Sequence, residues 1–353
     1  MTKKGKSAKG SKKTVLLSAL GVIAAGALIV GAFAWNWLCD NRLGNFRRDV
    51  TLYVYPDTTP QQVIDWLIDS AQVVRPRSLR RAFEDKKVAD YMKPGCYEIN
   101  PQHSSVYIAR MLNNGWQTPV SLTLSGTMRQ KGAIARKIAS QLLVDSASVH
   151  QALNDKQLLA KYGFTPTNVF SMIIPDTYKI YWTATPEEIL DVQKKAYDAF
   201  WTEERLAKAK AQGFTKEEVS IIASIVKGES NYEPELSKIA GVYINRLRIG
   251  MRLQADPTIA YILDYKVNRI LLRHLEIESP YNTYLHAGLP PGPIYVPTKA
   301  CLDAVLNPDT KDGYLYFCAN ADFSGSHKFA ASYKEHLKNA AEFQSALNKR
   351  SAK

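Results

Sequence analysis

The chain is poor in cysteine, with four in 353 residues (Cys39, Cys96, Cys301 and Cys318), at separations that match no metal-ligand pattern. That excludes a zinc-stapled module and a dense disulfide framework. An oxidising compartment would allow a bridge, with Cys301 and Cys318 the nearer pair. Also missing are a glycine-rich phosphate loop and any cluster of arginines with aromatics, so nothing points to nucleotide or nucleic acid as a ligand. Past the first residues there is no internal repeat and no low-complexity tract, which sets solenoid arrays aside. No metal or organic cofactor is implied.

Two further absences lie at the N-terminus. The first thirteen residues hold six lysines and no acid, and residues 14–38 hold no charge at all. The uncharged stretch is rich in Ala, Leu, Val and Ile and ends near Trp35 and Trp37. At roughly 1.5 Å per residue, a helix of this length exceeds the ~30 Å hydrocarbon core and spans it with some tilt. Lysines ahead of the span place the N-terminus in the cytoplasm, and the tryptophans suit the far interface. The expectation is a single-pass protein of the inner (cytoplasmic) membrane with the rest of the chain outside the cytoplasm. A cleaved signal peptide competes, with Ala32-Phe33-Ala34 as its cleavage site, but the apolar run is longer than the usual signal core. Bulky Trp37 and Leu38 argue against a lipid-modified Cys39. The tail supplies six of the +13 formal charges, leaving a mildly basic body that suits an anionic polymer or a membrane surface.

About 310 residues follow the apolar run, enough for two domains with cores of their own. The expected divisions are a basic tail (1–13), a transmembrane helix (14–38), a first subdomain (39–118) and a second domain (119–349). Val50 to Tyr55 alternates as a strand does. Thr59 can cap a helix with Pro60 at its first position, and Val63, Ile64, Leu67 and Ile68 give that helix an apolar face. A second helix over Arg77 to Ala89 and a strand over Gly95 to Ile99 complete a strand–helix–helix–strand layout. This is the arrangement of a small LysM-like sugar-binding module, and equally of a plain structural subdomain. A similar unit comes next, with a strand over Val120 to Leu124, a helix over Lys131 to Leu143 and a helical segment over Val149 to Leu159. Phe170 to Tyr178 is apolar and ends in a polar-aromatic turn, and helices run from Pro186 to about Gln212. The fold class expected is mixed α+β.

Gly213-Phe214-Thr215 interrupts the pattern, and Thr215 with Glu218 forms a capping box that opens a new helix. Its run Ala223-Ser224-Ile225-Val226-Lys227-Gly228-Glu229-Ser230 carries a carboxylate at the end of an apolar turn. Ile222, Ile225 and Val226 precede Glu229 by seven, four and three positions and share its face. A carboxylate on an apolar face loses hydration, and its pKa rises. Still protonated near neutral pH, it can donate a proton to a leaving oxygen, as glycoside cleavage requires. The plain alternative is an exposed Glu at a helix end.

The next segments suit a sugar ligand. Asn245-Arg246 lie on the following helix, which runs through Ile239, Val242, Tyr243, Ile244 and Leu247. Gly250 to Thr258 forms a loop whose side chains, Gln254 and Asp256 among them, can bind hydroxyl and acetamido groups. Asp256 ahead of Pro257 fits a helix cap equally well. Residues 279–298 contain five prolines, and Pro290-Pro291-Gly292-Pro293 among them can form neither helix nor central strand. A long stiffened loop of this kind is usually functional. In it Tyr281, Tyr284 and Tyr295 offer flat faces to pyranose rings, and Asn282 and Thr283 offer hydrogen bonds. The tyrosines could equally fill a domain edge. A strand over Tyr314 to Ala319 leads to His327, next to a glycine turn, either within reach of a site or on the surface.

Taken in order, several motifs resemble one family. They are Ile173-Ile174-Pro175-Asp176-Thr177-Tyr178, the Ala223 to Glu229 run, Val242-Tyr243-Ile244-Asn245-Arg246-Leu247, Leu253-Gln254-Ala255-Asp256-Pro257-Thr258, Tyr281-Asn282-Thr283-Tyr284 and Gly288-Leu289-Pro290-Pro291-Gly292-Pro293-Ile294. Together they are similar to the endolytic murein transglycosylases of the MltG/YceG type, along essentially the whole chain. The resemblance implies a mixed α+β catalytic domain behind a LysM-like region. It implies cleavage of peptidoglycan glycan strands between N-acetylmuramic acid and N-acetylglucosamine, within the strand and near the membrane, ending elongation. The catalytic acid maps onto Glu229, and peptidoglycan synthases become candidate partners. Lys227-Gly228-Glu229 stands where relatives usually carry Glu-Lys-Glu, which puts the chemistry on Glu229 and not on position 227. Phe170-Ser171-Met172 replaces the family's usual Glu-Gly, so no role is carried there.

One good carboxylate fits a lytic transglycosylase, in which the muramic acid's own 6-hydroxyl attacks its anomeric carbon and leaves a 1,6-anhydro end. Asn245, Gln254, Asp256, Tyr281, Asn282, Thr283, Tyr284 and His327 are the candidate substrate-binding residues. Two alternatives stay open. A lysozyme-like hydrolase would use Glu233 or Asp256 as the second carboxylate. A non-catalytic anchor would hold peptidoglycan through the LysM-like region alone.

Overall fold

The computed structural model describes residues 8–351, with side chains placed for 15–350. Residues 1–7 of the lysine-rich tail, and the side chains of its remaining lysines, lie outside what is described. The chain divides into two compact units, one formed by residues up to Val120 with Tyr181–Thr183, the other by Ser121–Ile180 with Ala184 onward.

The first unit opens with α1 (Ala8–Asn41), which continues past both ends of the expected span. Its segment Val15–Asn41 has a mean hydropathy of 2.4, and none of its most apolar stretch is buried against protein. It is long and apolar enough to cross a bilayer. Then come β1 (Val50–Val54), α2 (Pro60–Ser70), α3 (Pro76–Asp85), α4 (Val88–Tyr91), β2 (Gly95–Ile99) and α5 (Ser105–Asn114). β1 and β2 pair antiparallel, from Val50 opposite Ile99 to Val54 opposite Gly95. Leu52 and Val54 point into the core while Thr51 and Tyr53 face out, the two-residue period of a half-buried strand. Thr59 and Gln62 form a reciprocal cap on α2. Where a single helix over Arg77 to Ala89 was expected, the chain breaks between α3 and α4 because Lys87 turns left-handed, at φ 51°. The sequence reading passed over α5. Ser104 caps it, left-handed Gly115 ends it, and Ile108, Met111 and Leu112 pack into the unit's core.

In the second unit β3 (Val120–Thr123) pairs with β4 (Thr177–Ile180), with α6 (Lys131–Ala139), α7 (Ser146–Ala152) and α8 (Lys156–Lys161) between them. α6 stops four residues short of the expected Leu143. The segment over Val149 to Leu159 is two short helices, because the Asp155 carboxylate accepts from the backbone N–H groups of Gln157 and Leu158 and starts a new one. α9 (Pro186–Phe200), α10 (Glu203–Gln212), α11 (Lys216–Glu229), α12 (Leu236–Arg248), α13 (Asp256–Ile262) and α14 (Lys299–Leu306) come after them. The antiparallel strands β5 (Tyr316–Ala319) and β6 (His327–Ala330), then α15 (Tyr333–Ser351), complete the unit. α11 is its central helix, buried from Val219 to Val226 and opened by the expected Thr215–Glu218 capping box. The proline-rich stretch 279–298 forms neither helix nor strand. All four cysteines are unpaired thiols.

Candidate active site

Glu229 is the last residue of α11, and the preceding turns pin it there. Ile222, Ile225 and Val226 are fully buried, so the helix cannot rotate without exposing them. The residue is half-buried, and its carboxyl faces groups that exclude water. Desolvation pushes its pKa up to about 7. A hydrogen bond from Tyr243 opposes the rise, the negative charge of Asp256 adds to it, and Arg246 pulls the other way. The position at a helix C-terminus, the negative end of the peptide dipoles, also disfavours ionisation.

Tyr243 Oη donates to Glu229 Oε1 at 2.6 Å. Tyr243 lies on α12 with Arg246 three residues on, so one helical face delivers both to the carboxyl. Arg246 is buried without a carboxylate partner. Its Nε donates to the Leu315 carbonyl at 2.6 Å, its Nη1 to the Leu253 carbonyl at 2.6 Å, and its guanidinium carbon stands 5.3 Å from the Tyr316 ring centre. Arg246 thus ties two backbone segments around the site while keeping a positive charge near Glu229.

Asp256 opens α13, but its carboxylate does not cap the helix; Oδ1 accepts from Tyr284 Oη at 2.6 Å. The segment ahead of it is clamped to the proline-rich loop. The Gln254 N–H donates to the Thr283 carbonyl at 3.0 Å, and the Ala255 N–H donates to Thr283 Oγ1 at 3.0 Å. Gln254 itself is left-handed, at φ 49°, a conformation an L-residue holds only when its surroundings enforce it. Gly228 lets these pieces approach. A Cβ there would stand 2.6 Å from Pro257 Cβ and 3.1 Å from Tyr295 Cε2.

Three cavities meet at Glu229. One of about 320 Å³ is walled by Tyr243, Arg246, Gln254, Asp256, Tyr284 and His336. A second, of about 330 Å³, is walled by Gly228, Asp256, Tyr295, Arg129 and Arg269. The third, of about 670 Å³, has aromatic walls from Tyr232, Phe323 and Phe343. Glu229, Gln254, Asp256 and Tyr284 therefore come together. His327 lines the third cavity, its ring Nδ1 3.0 Å from Glu235. The other candidates lie elsewhere. Asn245 Nδ2 donates to the Tyr314 carbonyl at 3.1 Å, and Asn245 is absent from the three walls. Asn282 is buried and donates to the Leu275 and Ile277 carbonyls at 2.9 and 2.8 Å, while Thr283 serves the clamp. Tyr281 leans on Tyr261, ring centres 4.6 Å apart, beside a different pocket. Glu233 is exposed on a turn outside all three cavities. The sequence reading missed Tyr243, Arg246 and Arg129 as site residues; the spacing of the first two on one helix face was the available signal. Among the described residues no group of His, Cys, Asp and Glu is placed to hold a metal ion.

The chain is 28% identical over 313 residues to an endolytic murein transglycosylase of Bacillus subtilis, covering 84% of this chain and 85% of that one. It is 26% identical over 359 residues to an endolytic murein transglycosylase of Streptococcus pneumoniae, covering 92% of this chain and 63% of the longer relative. A crystal structure of a YceG-like protein from Listeria monocytogenes superposes with a TM-score of 0.53 at 26% identity, covering 83% of this chain and 99% of that one. The model of the YceG-like family matches residues 52–342, and the chain belongs to that family.

Proposed function

We propose that this chain is a membrane-anchored endolytic lytic transglycosylase that cuts peptidoglycan strands between N-acetylmuramic acid and N-acetylglucosamine. The observation that carries this reading is Glu229, a carboxyl with a pKa of about 7 in a sugar-sized cleft, held by Tyr243. Glu229 gives its proton to the glycosidic oxygen as the bond to the muramic acid's anomeric carbon breaks. That sugar's 6-hydroxyl then attacks the same carbon, and its proton returns to Glu229. The acid is regenerated, no water is consumed, and the product ends in 1,6-anhydro-N-acetylmuramic acid. Holding the hydroxyl in line makes the step effectively unimolecular. Cavities on more than one side of Glu229 suit a cut within a strand. The names of the relatives in Bacillus and Streptococcus agree with this activity.

In this reading residues 1–13 are a cytoplasmic tail, 14–38 a single inner-membrane span, 39–118 a LysM-like subdomain and 119–349 the catalytic domain, outside the cytoplasm. Cutting strands as they grow would end their elongation and bring the enzyme near peptidoglycan synthases. Gln254, Asp256 and Tyr284 hold the sugar rings, while Asn282 and Thr283 hold the loop that presents Tyr284. A hydrolase is the second reading, favoured by one observation: Asp256 shares the cleft with Glu229 and could serve as its second carboxylate.

The test is mass spectrometry of uncrosslinked glycan strands incubated with the full chain in detergent, wild type beside Glu229→Gln. Anhydro-ended fragments from the wild type alone are expected. Reducing-ended fragments would replace this reading with the hydrolase, and equal cleavage by both proteins would remove Glu229 from the mechanism.

A further inference from the structure

A pocket of about 590 Å³ opens beside α6, and its wall carries Arg129, Lys131, Arg136 and His150. Among the described residues none of these four is in an ion pair. Lys131 Nζ donates to the neutral Asn154 Oδ1 at 2.8 Å, and the Arg129 guanidinium carbon stands 4.3 Å from the Tyr265 ring centre. The one carboxylate on the wall, Asp264, is already engaged by Lys266 at 2.9 Å and by Gln130 Nε2 at 2.8 Å. Burial pulls the Lys131 amine below its usual range, as expected of a cation without a counter-charge. Like charges gathered this way repel one another and attract an anion.

Arg129 and Tyr265 also line the cavity that holds Glu229 and Asp256, so the basic pocket is a side arm of the cleft. The glycan that would fill the cleft is a chain of neutral N-acetylated sugars. Its carboxylates belong to the peptides branching from the lactyl groups of muramic acid. We propose that the pocket formed by Arg129, Lys131 and Arg136 binds the free carboxylates of the stem peptide on the muramic acid being cut, so that the enzyme selects peptide-bearing strands. This rests on the strand-cleaving reading above. Extended, a peptide advances about 3.3 Å per residue, so four residues reach roughly 13 Å. Guanidinium groups pair carboxylates through two parallel hydrogen bonds, which suits a peptide terminus.

The experiment compares the full chain in detergent on two substrates, strands carrying stem peptides and the same strands stripped by an amidase. The wild type is expected to show a KM about tenfold lower for peptide-bearing strands. Arg136→Gln and Lys131→Met are expected to bring that ratio toward one. No wild-type preference, or an equal rise in KM on both substrates in the variants, would overturn the proposal. A second arm needs no cleavage: Glu229→Gln is titrated with a synthetic stem tetrapeptide and, separately, with inorganic diphosphate. Tetrapeptide binding that is lost on adding Arg136→Gln supports the subsite even if the strand-cleaving reading fails. Binding of diphosphate alone would overturn it in favour of a site for a phosphorylated lipid end. Arg136 is exposed, so its replacement spares the fold.

Discussion

At the residue scale the proposed chemistry turns on one proton. With its pKa near 7, Glu229 is about half protonated at neutral pH, and the acid form thins about tenfold for each pH unit above that. Initial rates across pH should show kcat/KM falling above about pH 7, and Glu229→Gln should lose at least about 100-fold. Tyr243→Phe tests the coupling. The tyrosine's hydrogen bond favours the carboxylate, so its removal should move the alkaline limb to higher pH; a downward move would mean that Tyr243 does not stabilise the charge. Stability gives an independent reading. A raised carboxyl pKa means that the folded state holds the proton more tightly, so stability falls as pH rises from about 4.5 to about 7. Allowing for partial exposure, the loss is roughly 2 kcal/mol. Glu229→Gln should therefore melt above the wild type at pH 8, with the gap closing below pH 4.5, in a thermal denaturation series. The carboxyl was legible in the sequence because apolar neighbours seven, four and three positions back declare its face. Tyr243 was not, because its bond to Glu229 joins two helices and leaves no local pattern.

Among the elements, the close packing of α11 on α13 is what shapes the cleft, and Gly228 permits it. Gly228→Ala would drive a methyl against the rigid Pro257 ring, forcing the helices apart at a cost of about 1–3 kcal/mol. Chemical denaturation should register that loss, and cleavage should fall with it because Asp256 moves with α13. An unchanged midpoint would mean that the backbone yields freely there. Legibility at this scale tracked the caps. The cap at Thr59 and the box at Thr215 marked true helix starts, because a side-chain oxygen at the cap satisfies a backbone N–H locally. Lys87 is a lysine in a conformation that favours glycine, so nothing in its identity announced the break between α3 and α4. The proline-rich loop was recognised as a loop, yet Asn282 and Thr283 turned inward to brace it, since buried backbone groups had to be satisfied there.

For the whole molecule, the proposed anchoring through α1 would decide where the chemistry happens. Its exposed apolar stretch, residues 15–37, would aggregate in water unless covered. The full chain should pellet with membranes and resist extraction at high salt, whereas a chain lacking residues 1–38 should remain in the supernatant. Release of the full chain by salt alone would mark the attachment as electrostatic. The apolar run was plain in the sequence, but the meeting of three cavities at one carboxyl could not be, since it joins residues from 129 to 350. In the proposed reaction the same junction would govern the fate of the severed strand. Its two halves would rest on different walls, so each could dissociate by itself. Where one half lingers, it can advance by a disaccharide and be cut again, and the fragment ladder would then record relative residence times more than the speed of bond breaking.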